Sequence, residues 1–105
     1  MPARVHALLF VRADLIVDAH LSRTLDAISA QRRPVDALTI VSAGELRPGT
    51  RRLIEASGAE GVIATGPALR FAPAMDLAAR RVAADADAIW LLAADTAPAP
   101  EALEL

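Results

Sequence analysis

The sequence contains no cysteine and no lysine. Lacking cysteine, it has no disulfide, no thiolate nucleophile and no thiolate-bound zinc, and its redox compartment is left open. Lacking lysine, it has no phosphate-cradling P-loop, which needs that ammonium group. Aromatic residues make up 3% of the 105 positions, with Phe10, Phe71 and Trp90 the full set, so recognition by stacked aromatic platforms is excluded. The five glycines form no dinucleotide-binding fingerprint. The longest apolar runs, residues 5–11 and 88–94, fall far short of the roughly 20 residues that a membrane helix needs. Arg12, Asp14 and Asp18 follow the first run with no small-residue cleavage site between, so it does not read as a signal peptide. A cytoplasmic location is expected. With a net charge of −2, nothing global attracts nucleic acid or an anionic membrane.

What is present is apolar: 54% of residues are hydrophobic, many of them alanine. Parallel sheets covered on both faces need such an excess, and the length suits one α/β domain over 1–105. The run Val5-His6-Ala7-Leu8-Leu9-Phe10-Val11 is apolar at nearly every position and predicts a strand buried on both faces. Val17, Leu21, Leu25 and Ile28 then fall on one helical stripe, and Pro34 ends that helix near Gln31 or Arg32. Ala37-Leu38-Thr39-Ile40-Val41 predicts a second strand. Pro48 opens a short helix running to Ser57, with Gly58 as its stop. Gly61-Val62-Ile63-Ala64 predicts a third strand, and a third helix starts at Ala72 or Pro73 and runs towards Ala84. Ala88-Ile89-Trp90-Leu91-Leu92 is the fourth strand, after which Pro98 and Pro100 open another helix. The order βαβαβαβ predicts a three-layer αβα domain with a mostly parallel four-stranded sheet.

In open parallel sheets, ligands bind beyond the carboxyl ends of the strands, near the switch in strand order. That rule nominates the loops Arg12-Ala13-Asp14, Ser42-Ala43-Gly44-Glu45, Thr65-Gly66-Pro67 and Ala93-Ala94-Asp95-Thr96. His6 reads as a core histidine of the first strand, and His20 as a residue on the polar edge of the first helix. No Ser-His-Asp set can be assembled. Asp95 directly follows an apolar strand at the ligand-binding edge. A carboxylate there either holds a divalent cation or bonds backbone N–H groups ahead of the next helix, and position alone leaves both open.

Four segments carry a family resemblance by their order and spacing. The first is the opening strand with the helix containing Leu21, Thr24-Leu25 and Ile28. The second, Gln31-Arg32-Arg33-Pro34-Val35-Asp36-Ala37-Leu38-Thr39-Ile40-Val41, looks like a "Q-x-x-P" element entering a strand. The third, Arg70-Phe71-Ala72-Pro73-Ala74-Met75-Asp76, looks like a "G-F-A-x-A-x-N" segment. The last, from Ala88 through Asp95 to Leu103, looks like a strand, an acidic motif and a "P-x-x-L" helix. Together residues 5–105 resemble the N-terminal half of family 2 glycosyltransferases, inverting enzymes of the GT-A fold.

The resemblance implies a Rossmann-like GT-A half domain that binds a nucleotide-diphosphate sugar across its strand ends. It implies Mn2+ or Mg2+ on the diphosphate, with Asp95 matching the metal-proximal aspartate of the acidic motif. Arg12 and Asp14 stand in the loop that approaches the nucleotide. Ser42 stands where an aspartate usually contacts the nucleoside, and Asp76 replaces the usual asparagine. Ala93 and Ala94 occupy positions that are commonly acidic, and Arg70 replaces a glycine. The acceptor site and general base of the family come from sequence beyond the acidic motif, so the chain is expected to be inactive alone. The competing reading is a non-catalytic interaction module that keeps the fold without the site; an unrelated flavodoxin-like binding protein has no motif in its favour. Exposed edges and apolar surface predict a homodimer or other homo-oligomer.

Overall fold

The computed structural model describes residues 4–66 and 70–94. The elements run β1 (Val5–Arg12), α1 (Asp18–Ser29), β2 (Ala37–Ala43), α2 (Pro48–Ala56), β3 (Gly61–Thr65), α3 (Phe71–Val82), a short 3-10 turn (Ala83–Asp85) and β4 (Ala88–Ala93). The four strands form one parallel sheet in the order β3-β2-β1-β4. The expected βαβαβαβ order is therefore present. The predicted helix at Pro98 and Pro100 lies outside the described residues.

β1 is central, with His6 to Arg12 opposite Ala37 to Ala43 of β2, and Val5 to Phe10 opposite Ala88 to Ala93 of β4. A strand flanked on both sides and covered on both faces must be apolar throughout, which is why its sequence does not alternate. Its side chains divide by parity. Ala7, Leu9 and Val11 pack with Leu21, Leu25 and Ile28 of α1, Ile54 of α2 and Leu92 of β4. Leu8 and Phe10 pack with Ala74, Met75, Ala78 and Val82 of α3. Helices α1 and α2 thus share one face and α3 covers the other. The small residues Ala74 and Ala78, both fully buried, let α3 lie close on the sheet.

Two expectations need adjustment. Val17 does not extend the buried stripe; it is 51% exposed and precedes α1, whose buried face begins at Leu21. Helix α1 also stops at Ser29, short of Gln31. The Gln31 amide reaches Ile28 O at 3.3 Å and its side chain donates back to Ala27 O at 3.2 Å, tightening the last turn ahead of Pro34. Helix α2 starts with Pro48 at its first position, and Gly58 beyond its end takes φ +81°, as expected.

Both ends of the sheet are tied by side chains. At its start, β1 is gripped by two carboxylates. Asp36 accepts the Val5 amide at 2.7 Å and returns its own amide to Val5 O at 2.9 Å. Asp87 accepts the Arg4 amide at 2.8 Å and returns its amide to Arg4 O at 2.9 Å. At the other end, the buried Thr24 hydroxyl of α1 donates to Ala94 O at 2.6 Å, joining α1 to the exit of β4. In the interior, His6 Nε2 and Thr39 Oγ1 lie 2.7 Å apart across β1 and β2. Among the described residues, no helix is long and apolar enough to cross a membrane.

Two stability measurements follow from these ties. Thr24→Val keeps the side-chain shape but leaves Ala94 O buried without its donor, so urea unfolding should show a loss of about 1–3 kcal/mol. Thr24→Ser should recover most of it. Asp36→Ala should cost about 1–2 kcal/mol, and Asp87→Ala less, because the Asp87 bond is solvent-exposed while the Asp36 bond is half-buried. Equal losses for the two aspartates would refute the burial argument.

Candidate functional site

With β2 and β3 on one side of β1 and β4 on the other, the strand order switches between β1 and β4. Parallel sheets leave a crevice at the carboxyl ends of such a pair. A cavity of about 520 Å³ lies at that place. Phe10 and Arg12 of β1, Ala93 of β4 and the following Ala94 line one side. Leu15, Ile16 and Val17, His20 of α1 and Phe71 at the start of α3 complete the wall.

The local sequence explains this shape. Arg12 O accepts the amides of Leu15 at 3.1 Å and Ile16 at 2.9 Å, so β1 ends in a tight turn instead of running straight into α1. The turn brings Leu15 and Val17 to the cavity while they stay 63% and 51% exposed. On the far side, Phe71 stands edge-on to Phe10 with ring centroids 5.5 Å apart and planes at 87°. This pairing seats the first turn of α3 against the end of the sheet. Exposed apolar side chains grouped around a concavity mark a candidate place for a ligand or partner. Among the described residues, Arg12 and His20 are the ionisable side chains on its wall.

The sequence-predicted site residues are distributed unevenly. Arg12 lines the cavity. Asp14 lies beside it, with Arg12 Nη2 3.3 Å from Asp14 Oδ2 and both side chains more than half exposed. Ser42 is buried, and its hydroxyl donates to Gly44 O at 2.6 Å. The neighbouring Thr65 hydroxyl donates to Ser42 O at 3.0 Å, and the Gly44 amide reaches Thr65 O at 3.1 Å. That network ties the ends of β2 and β3 together and commits the Ser42 hydroxyl to the backbone. Gly44 holds φ +95°, a conformation that favours glycine. Asp76 sits on the exposed surface of α3 in an ion pair with Arg80 at 3.3 Å, one helical turn on. It does not line the cavity. Asp95 lies outside the described residues.

The described residues bear only in part on the cation expected from the resemblance. Among the described residues, no group of three or more His, Asp or Glu stands close enough together to hold a metal ion. The described cavity wall offers a guanidinium, an imidazole and apolar groups, and no carboxylate. Asp95, the carboxylate expected to hold the cation, lies outside the described residues, and oxygen ligands are what a hard divalent cation takes.

Sequence reasoning missed Leu15, Ile16, Val17 and His20 as cavity residues. One signal was available: Leu15-Ile16-Val17 is an apolar run between Asp14 and Asp18, in a loop that helical periodicity does not require to be apolar. The wall contribution of His20 depends on where the turn after Arg12 delivers α1, which no spacing rule reports.

No protein-family model matches the chain, and no curated protein matches it. Among solved structures, it is similar to glucosyl-3-phosphoglycerate synthase from Mycobacterium tuberculosis, solved in complex with Mn2+, uridine diphosphate and glucosyl-3-phosphoglycerate. The TM-score is 0.60 at 23% sequence identity, over 93% of this chain and 36% of that one. This chain therefore spans little more than a third of the length of that structure. The likeness speaks for the fold alone, a Rossmann-like α/β arrangement of the GT-A half-domain kind.

Proposed function

We propose that this chain is the donor-side portion of a family 2-type glycosyltransferase domain, and that it receives a nucleotide-diphosphate sugar in the cavity between the ends of β1 and β4. One observation carries the reading: the cavity lies at the switch in strand order of a GT-A-like sheet, where open parallel sheets bind their ligands. A volume near 520 Å³ falls in the range of small-molecule and cofactor sites. The four segments that resemble the family, and the fold likeness to an enzyme solved with uridine diphosphate, support the same ligand class. Arg12 is the residue we assign to the nucleotide; a divalent cation, Mn2+ or Mg2+, would depend on Asp95. The described residues supply binding and orientation. No residue among them is assigned as nucleophile or general base.

A second reading, an interaction module that keeps the fold, draws on a different observation. Leu91 of β4, Leu77 of α3 and Val62 of β3 are 47%, 41% and 37% exposed, and apolar side chains on edge strands invite partners. It predicts self-association, read by light scattering across a dilution series. A monomer at every concentration would count against it.

The nucleotide reading is tested by calorimetric titration with UDP. Val17 is half exposed, so Val17→Glu should leave folding intact while placing a carboxylate on the wall facing the diphosphate. Affinity for UDP should then fall by about tenfold or more. An unchanged affinity would move the binding site away from this cavity.

A further inference from the structure

We infer that Arg47, which lies off the cavity wall, is a positioning residue for it: from the start of α2 it holds the Leu15-Ile16-Val17 lip in place. The inference rests on the nucleotide reading above for its ligand, and adds what fixes the wall that the ligand meets. Leu15 and Val17 line the cavity while 63% and 51% exposed, so burial of these two side chains does little to keep them there. Ile16 between them is half-buried against the core. The amides of Leu15 and Ile16 converge on Arg12 O. That bonding closes the turn and ties it to β1, the strand it leaves. The tie to a second element comes from α2, where Arg47 Nη2 donates to Ile16 O at 2.8 Å from 31 residues away in sequence.

The same nitrogen lies 3.5 Å from Asp18 Oδ1. Asp18 opens α1 two residues after Ile16, and its Oδ1 also accepts the hydroxyl of Thr50 at 2.6 Å. Thr50 is fully buried in α2. The lip is therefore joined to one helix twice, through the Ile16 carbonyl and through the Asp18 carboxylate. The exposed ion pair adds little stability by itself. Together with the bond to Ile16 O, it orients the guanidinium.

The residue type at position 47 points the same way. Arg47 stands just before the first turn of α2, where Ser, Thr, Asp or Asn commonly satisfies the free amides. It makes no such side-chain bond. A cation there also opposes the positive ends of α1 and α2, which meet at Asp18. As a helix start the arginine is a poor choice, whereas for the lip it supplies a charge-assisted hydrogen bond.

The experiment follows hydrogen exchange at the Leu15 and Ile16 amides of the full chain by NMR, and titrates the same samples calorimetrically with UDP in excess manganese. Arg47→Met nearly keeps the length of the side chain and removes both contacts. It should speed exchange at these two amides by about tenfold or more, while the β1 core amides keep their protection. UDP should bind about threefold more weakly or worse, because apparent affinity falls with the fraction of time that the wall is in place. Arg47→Lys should restore part of both effects, since a single nitrogen makes the two contacts. Arg47 is more than half exposed, so the urea midpoint of each variant should match that of the unmodified chain and report an intact fold. Unchanged exchange in Arg47→Met overturns the inference; if affinity falls all the same, Arg47 meets the ligand directly. Faster exchange with unchanged affinity also overturns it, because the lip then moves without consequence for binding. If the unmodified chain binds no UDP, the nucleotide reading fails by itself, and the exchange measurement still decides whether Arg47 holds the lip.

Discussion

The structure depends on β1 being paired on both sides while it is packed on both faces. That single constraint decides the composition of the strand, because every position along it before Arg12 is buried. It also decides where the helices lie. With β2 and β3 to one side of β1, and β4 to the other, the connection from β3 to β4 must recross the sheet, and α3 takes the face opposite α1 and α2. The crevice between the ends of β1 and β4 is a direct result. Chain leaving β1 departs towards α1, the end of β4 lies alongside it, and the space left between them is the cavity.

The energetics of the two sheet ends differ for the same reason. The starting end is closed by backbone bonds and by Asp36 and Asp87, which each exchange a pair of hydrogen bonds, through carboxylate and backbone amide, with Val5 of β1 and with Arg4 just before it. The carboxyl end is closed on the β2–β3 side by Ser42, Gly44 and Thr65. On the β1–β4 side it stays open, held by the Thr24 bond to Ala94 and the Phe10–Phe71 contact. Arg12 and His20 line the open part, whereas the polar groups in the closed part are spent on backbone.

Much of the fold was legible because burial on two faces leaves a plain mark on sequence. Residues 5–11 read as a central strand by being apolar throughout, and Leu21, Leu25 and Ile28 read as the buried stripe of α1. Pro48 and Gly58 marked the ends of α2 through backbone geometry alone. The site was less legible because family resemblance transmits positions and not orientations. Ser42 and Asp76 fall at positions that matter in the family, but here one bonds Gly44 O and the other pairs with Arg80. Leu15 and His20 reach the cavity only through the turn after Arg12. The carboxylates that grip β1 did leave a trace, since Asp36-Ala37-Leu38 and Asp87-Ala88-Ile89 open β2 and β4 with the same Asp-Ala-aliphatic pattern. Its meaning appears only when both segments are seen against β1.

The long reach of the β1–β4 pairing sets the order in which the molecule is made. Arg4 and Asp87, bonded at 2.8 Å, lie 83 residues apart in sequence. Closing so long a loop is slow compared with forming a helix or a neighbouring strand pair. During synthesis β1 emerges first, finds β2 after one helix, and then waits with one edge unpaired until β4 has left the ribosome. The strand on which everything else is built is therefore half-finished until β4 has been made. In that interval its free edge is the place where misassembly and chaperone capture compete with folding.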